Sequence, residues 1–467
     1  VQEPKTEMSM LALENGWAEQ DPEDWWRHVC AGISRIKSEN NVADTDISGI
    51  GISYQLHGLV LVDIDGKVLR NSIIWCDSRA VEIGEQAFEA IGEDTCAEHL
   101  LNSPANFTAS KLKWVKDNEP EIYEQVHKFM LPGDYIAYRL SGTMNTTVSG
   151  LSEGIFWDFK QDSLAEVLMD YYGFEDSKVP DIVPTFSEQS IVNKQGASES
   201  GLQTGTPILY RAGDQPNNAL SLNVFNPGEV ATTGGTSGVI YAVTDSLSVK
   251  EYSRINNFAH VNYQSGENLR IGKLLCINGA GIQYRWILKN LDVTSYEEMN
   301  VLAASVLVGS DGLCVIPFGN GAERMLNNKD IGTRMVNINL NNHTKAHLCR
   351  AALEGIAFSF VYGMEILKSD GSIVNVIRAG NDNLFRSEIF SNTVATLISQ
   401  DIEIYNTTGA IGAARAADLH KGDFAVVGKR IMDNDYVMTY TPLHNQEVEQ
   451  KASERRKNEL EILLKTR

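Results

Sequence analysis

The chain has 467 residues, more than one hydrophobic core usually holds, so two domains are expected. With 43% hydrophobic and 22% charged residues, its composition is that of an ordinary soluble globular protein. The formal charge of −21 disfavours nucleic acid and anionic membranes as partners by repulsion, but it leaves room for an anionic nucleotide, because backbone dipoles bind phosphate locally.

Residues 1–15 read as the end of a strand and a loop. A helix starts at Asp21-Pro22-Glu23-Asp24: Asp21 can cap it, Pro22 suits the first turn, and the acids favour the positive helix end. A strand over Ile50–Gln55, a turn at Leu56-His57-Gly58 and a strand over Leu59–Asp63 follow, with Asp65-Gly66 as a hairpin turn. The pattern over Thr108–Leu140 is helical, and residues 160–200 read as peripheral helices and loops. Strands return at Pro207–Arg211, Glu229–Thr233 and Val239–Val243, the last two joined by the small-residue loop Thr232–Gly238. His347–Leu367 forms one long helix on an apolar stripe. Ile373–Ile377 reads as a buried strand ending at Arg378-Ala379-Gly380-Asn381, and Thr408–Ala414 opens a helix of small residues. Alternating strands and helices indicate α/β architecture, with a domain division near residue 224, giving domains over 1–224 and 225–467.

The six cysteines are scattered without a CxxC pair, as in a protein of a reducing compartment. No apolar run spans a membrane and no signal pattern opens the chain, so a cytoplasmic location is expected. His343 and His347 have metal-like spacing, but they read as a helix face, since no third ligand accompanies them.

Two features carry chemistry. Asp214, between Gly213 and Gln215, suits a base that takes a proton from a hydroxyl, and as easily a turn residue capping its own backbone. Gln215 and Asn217 beside it are candidates for sugar hydroxyls. The loop Thr232-Thr233-Gly234-Gly235-Thr236-Ser237-Gly238 alternates glycines, which let a backbone approach a phosphate, with hydroxyls that donate to it; a plain hairpin turn has the same composition. Together they point to phosphoryl transfer from a nucleotide to an alcohol. There is no GxxxxGK[ST] and no HRD or DFG, which sets aside P-loop ATPases and protein kinases. Gln55-Leu56-His57-Gly58 stands at a strand end, where α/β folds place ligands. Trp75-Cys76-Asp77-Ser78-Arg79 has a sugar-binding composition, although Arg79 is equally placed to pair with Asp77.

At these residues the chain resembles the FGGY carbohydrate kinases of the actin-like ATPase superfamily, and within them the xylulokinases. Residues 16–22 and 50–58, Trp75–Arg79, Lys111–Trp114, His347–Gly355, Ala379–Asn383 and Thr408–Ala414 are all similar to family segments, with Leu56 in place of the usual Met. The resemblance implies two ribonuclease-H-like domains with the active site in the cleft between them. It implies ATP and Mg²⁺ as cofactors, and phosphorylation of D-xylulose on its terminal hydroxyl to D-xylulose 5-phosphate. Asp214 falls where the family has its catalytic base, with a place beside the metal as well. Gln55, Leu56, His57, Trp75, Asp77, Arg79 and Gln215 match its sugar-binding positions. Gly234, Gly235, Thr236, Ser237, Gly279, Gly380, Asn381 and Asn383 match its nucleotide-binding positions. Partners are then a small sugar and ATP, with a homodimer as one allowed assembly. Glycerol or another ketose as acceptor, and a catalytically inactive sugar-binding homologue, are the alternatives. The family also begins with a D-x-G-T phosphate loop that does not precede Val1 here; the expectation is that the sequence omits that segment.

Overall fold

The computed structural model describes residues 1–264, 266–419, 423–444 and 446–465. The first long helix, α1 (Pro22–Asn40), starts as its sequence dictates: the Asp21 carboxylate accepts from the Glu23 amide at 2.9 Å and Pro22 fills the first turn. Strand β1 (Ile50–Tyr54) leads through a turn to β2 (Val60–Val62). The Asp65-Gly66 turn closes only a single bridge, Val62 to Val68. The stretch read as helical between 108 and 140 is interrupted. After α2 (Thr108–Asn118) and a short helix, β3 (Lys128–Met130) pairs antiparallel with β2 and buries Phe129 and Met130. Strand pairing with a buried partner overrides a helical pattern over so short a run.

Helix α3 (Val148–Glu153) ends in a buried glutamate. Among the peripheral residues β4 (Phe186–Ile191) is a strand that the weak periodicity hid. It pairs antiparallel with β5 (Pro207–Gly213), which in turn pairs parallel with β1, and helix α4 (Asp214–Ser221) follows directly.

From β6 (Glu229–Gly234) onward the chain builds a seven-stranded sheet. Its strands are β6, β7 (Gly238–Thr244), β8 (Asn256–Ala259), β9 (Ile271–Ile277), then, after helices α5 (Gly281–Asn290) and α6 (Lys345–Ser369), β10 (Val376–Gly380), β11 (Ile402–Tyr405) and, after α7 (Gly409–Asp418), β12 (Tyr436–Tyr440). The order across the sheet is β8-β9-β7-β6-β10-β11-β12, with β6, β10 and β11 parallel. Strand β10 begins three residues later than Ile373, whose side chain is 65% exposed, because ladder pairing starts only where Val376 meets Glu229. Helix α6 is apolar nearly all round and lies buried against the sheet, with Leu353, Ile356 and Phe360 inaccessible. His343 precedes this helix and His347 lies in its first turn, so the two do not share a helix face; their rings are tilted by 38° with centroids 5.2 Å apart, and the six cysteines are free thiols.

The lobes meet closely at β8 and at α7. Strand β8 is sewn to the first lobe by Asn102, whose amide donates to the Asn257 carbonyl at 2.6 Å and whose Oδ1 accepts from the Asn257 amide at 2.8 Å. Helix α7 packs on β1 and α4, so close that a Cβ at Gly51 would collide with the Ala413 carbonyl. The small residues of α7 exist for that approach. No helix among the described residues is long and apolar enough to cross a membrane.

Candidate active site

Because β1 and β5 run parallel with Tyr54 opposite Gly213, both strands open at the same edge. Gln55 to His57 leave one and Asp214 leaves the other as the first residue of α4. Gly213 is required here, since a side chain would strike that of Leu56. Asp214 is half-buried, enclosed by protein but open on one side, and Gln215 donates to its Oδ2 at 2.9 Å. Burial raises its carboxyl above the usual range, against hydrogen bonds from Gln215 and backbone amides including Leu56 that lower it.

A second carboxylate, Glu153 at the end of α3, stands in this wall. Burial raises its carboxyl well above the usual range, and the charge of Asp214 adds to that. Its Oε2 accepts from the His57 amide at 2.9 Å while Oε1 is buried without a partner. His57 takes a left-handed conformation with φ 61°. Its Nδ1–H donates to the Glu153 carbonyl at 2.9 Å, which leaves Nε2 with its lone pair. Burial first, and the charge of Lys111 second, hold the imidazole at a pKa of about 3, so it is neutral. The ring is gripped between Phe107 of the first lobe (centroids 4.8 Å apart) and Phe258 of β8 (5.3 Å). Beneath the turn, buried Lys111 donates to the carbonyls of His57 (2.8 Å) and Ile74 (3.0 Å), and burial pulls its amine down to about 7.

Gln55 donates to Gln20 at 3.2 Å, and Leu56 is buried. Asp77 is inaccessible, accepting from the Ala18 amide at 2.6 Å and from Arg79 Nη2 at 2.7 Å. Arg79 stacks on Trp17 at 3.8 Å and pairs with Glu19, so Asp77 and Arg79 satisfy each other inside the first lobe. Trp75 is 59% exposed. Asn217 is buried and donates to the Gly409 carbonyl.

The opposite wall is the sheet edge where β6, β10 and β11 all end, the position at which open α/β sheets receive ligands. The loop Gly234–Gly238 closes the β6–β7 hairpin there, with Gly234 paired to Gly238. It is pinned to the start of α5 by bonds from the Gly281 amide to the Gly235 carbonyl (3.1 Å) and from Ile282 to Thr236 (2.9 Å). Nothing lies closer than 3.6 Å to where a Cβ of Gly235 would sit, and the second neighbour is the Asn383 amide at 4.0 Å. Gly279 lies against the Pro317 carbonyl and donates its amide to Glu323 at 2.8 Å. Gly380 ends β10, and the Asn381 amide donates to the Tyr405 carbonyl at 2.8 Å. Gly234, Gly235, Thr236, Ser237, Gly279, Gly380, Asn381 and Asn383 thus share one edge. Helix α4, bearing Asp214, packs against β6 and β7.

Among the described residues no group of three or more His, Cys, Asp or Glu is arranged to hold a metal alone. Asp214 by itself fits instead an ion that arrives with phosphates and takes only one or two protein carboxylates, the habit of Mg²⁺, whereas Glu153, whose carboxyl burial holds well above the usual range, does not. Glu153 and the paired rings of Phe107 and Phe258 carry no motif in the sequence; only the fold brings them to His57.

The family model described as "FGGY family of carbohydrate kinases, N-terminal domain" matches residues 1–221. A xylulose kinase of Staphylococcus epidermidis is 30% identical over 383 residues, covering 81% of this chain and 74% of that protein. A xylulose kinase of Bacillus subtilis is 27% identical over 423 residues, covering 88% and 81%. The crystal structure of xylulose kinase from Rhodospirillum rubrum superposes with a TM-score of 0.86 at 24% identity, covering 97% of this chain and 92% of that one.

Proposed function

The chain belongs to the FGGY family of carbohydrate kinases, with two ribonuclease-H-like domains of the actin-like ATPase superfamily, and from that premise we propose that it transfers the γ-phosphoryl group of ATP to the terminal hydroxyl of D-xylulose. The observation that carries the reading is Asp214: a half-buried carboxylate with a raised pKa, leading a helix that abuts the two strands of the glycine loop. The xylulose kinases among its relatives support the ketopentose.

In this reading the acceptor hydroxyl lies against Asp214, which takes its proton as the oxygen attacks phosphorus. The open backbone around Gly235, with Thr236 and Ser237, receives the phosphates, and Gly380, Asn381 and Asn383 lie toward the nucleoside. His57 accepts a sugar hydroxyl on Nε2, and the Phe107 and Phe258 rings fix its plane. Asp214 would hold Mg²⁺, which would supply positive charge against the phosphates. Positioning supplies most of the acceleration, since phosphoryl transfer leaves little covalent work to the protein. Six free thiols suit a cytoplasmic location.

The test is a panel of D-xylulose, other ketopentoses, gluconate and glycerol, with ADP release coupled to a spectroscopic readout. The highest kcat/KM is expected with D-xylulose. Strong turnover of glycerol with none on xylulose overturns the assignment.

A further inference from the structure

His57 keeps a left-handed backbone, φ 61°, which a residue with a side chain adopts only where its surroundings impose it. Apart from Nε2, every polar atom of His57 is taken, and two residues take them. The backbone carbonyl accepts from Lys111 Nζ at 2.8 Å. The backbone amide donates to Glu153 Oε2 at 2.9 Å, and the ring Nδ1–H donates to the Glu153 main-chain carbonyl, also at 2.9 Å. A carbonyl can only accept, so that bond fixes a proton on Nδ1 and leaves Nε2 over. Glu153 alone therefore sets both the turn and the ring.

Its place in the fold suits that grip. Glu153 ends α3, so its carbonyl is one that the helix leaves without an internal partner, and the imidazole caps it. Its side chain is 2% exposed. Helix α3 is in turn bracketed by the second lobe: Ser149 Oγ donates to the Ala259 carbonyl at 3.0 Å, and Ser152 Oγ accepts from the Ala259 amide at 2.9 Å. Phe258, the residue before Ala259, meets the His57 ring from the same strand. We infer that Glu153 is a positioning residue of the acceptor subsite, acting through His57: its carboxyl holds the left-handed turn and its carbonyl holds the ring, so that Nε2 is presented to the sugar in one orientation. The role is that of a hydrogen-bond acceptor, not of a second base or a metal ligand. This rests on the reading above that His57 receives the acceptor sugar.

The test is a set of Glu153 variants in the wild-type and His57→Ala backgrounds, with KM for D-xylulose and for ATP measured in each. Glu153→Leu strips the buried His57 amide of its acceptor. KM for sugar should rise about 5–100-fold, the worth of a buried donor left unsatisfied, with KM for ATP unchanged. Glu153→Gln keeps an oxygen at that place and should return sugar KM to near the wild-type value. In the His57→Ala background, which has no ring to orient, Glu153→Leu should cause no further rise. Losses that multiply across the two sites, equal weakening of sugar and ATP, or a Gln variant as poor as the Leu variant overturn the inference. Should Glu153→Leu fail to fold, Glu153→Asp decides in its place, because a side chain one carbon shorter withdraws the acceptor and must give the same pattern. If His57→Ala alone leaves sugar KM unchanged, the sugar contact at His57 falls and the inference with it. If His57→Ala raises sugar KM and Glu153→Leu does not, the inference falls and that contact stands. If a different polyol is turned over and not D-xylulose, the assigned substrate falls alone, and the same cycle on that polyol judges Glu153.

Discussion

The side-chain amide of Asn217 donates to the Gly409 carbonyl at 2.8 Å, so the helix that begins with Asp214 is tied to the helix that leaves the nucleotide-side sheet. The bond spans the two lobes at the point where acceptor and donor chemistry must be aligned. Asn217→Ala should cost about 0.5–1.5 kcal/mol of stability, the net worth of one hydrogen bond. It should also lower kcat/KM for sugar and ATP together. Steady-state kinetics with each substrate varied check this; a change confined to one substrate would show that the bond serves only its own helix.

Asp214→Asn removes the proposed base. Turnover should fall by roughly 10²–10⁴, with sugar affinity, read by calorimetry, changed far less. Near-normal rates would falsify the assignment. Because burial raises the Asp214 carboxyl, the wild-type kcat should decline on the acid side at a pH above the ordinary carboxylate value of about 4. His57, at about 3, adds nothing to that limb. The sign for stability is the reverse of a salt-bridged acid: ionising a carboxyl whose folded pKa is raised costs stability as pH climbs through that value. Asp214→Asn should therefore melt higher than wild type at pH 8, with the gain fading as pH falls from the raised folded value and gone by about pH 4.

Two glycines that sequence alone treats alike should behave differently. Gly235→Val meets no protein atom closer than 3.6 Å at its Cβ, so the fold should survive while KM for ATP rises sharply and sugar binding stays. Gly281→Ala drives a methyl into the Gly235 carbonyl and should lower the melting temperature instead. Differential scanning calorimetry beside ATP titration separates the two; equal thermal losses would make both merely structural.

Lys111→Met leaves the buried carbonyls of His57 and Ile74 without their donor, at about 1–3 kcal/mol. Sugar KM should rise through the displaced His57 turn, with ATP KM unchanged. Its amine titrates near 7 when folded and near 10.5 when unfolded, so the unfolded chain holds the extra proton between those values. That contribution makes stability climb with pH from about 7 to 10, and urea midpoints across the window should flatten in the variant.

How much of this was legible beforehand follows the physics of each element. Asp21-Pro22, the β6–β7 hairpin and the stripe of α6 were readable because caps, turns and helical periodicity are local signals. Strands β3 and β4 were not, since three or six residues of mixed pattern become strands only through partners far along the chain. The Asp77–Arg79 cluster shows the limit of composition: the same residues suit a sugar or each other, and the fold turns them inward. Glu153 carried no signal at all; its importance is one of enclosure, which no spacing encodes.

One absence sets the geometry of everything else. Where other strands carry a side chain, β1 has bare backbone at Gly51, and the carbonyl of Ala413 occupies that room. The gap across which a phosphoryl group must travel is therefore gauged by a missing methyl on the far side of the sheet. A shim one carbon thick, inserted there, pries apart two walls whose own residues it never touches.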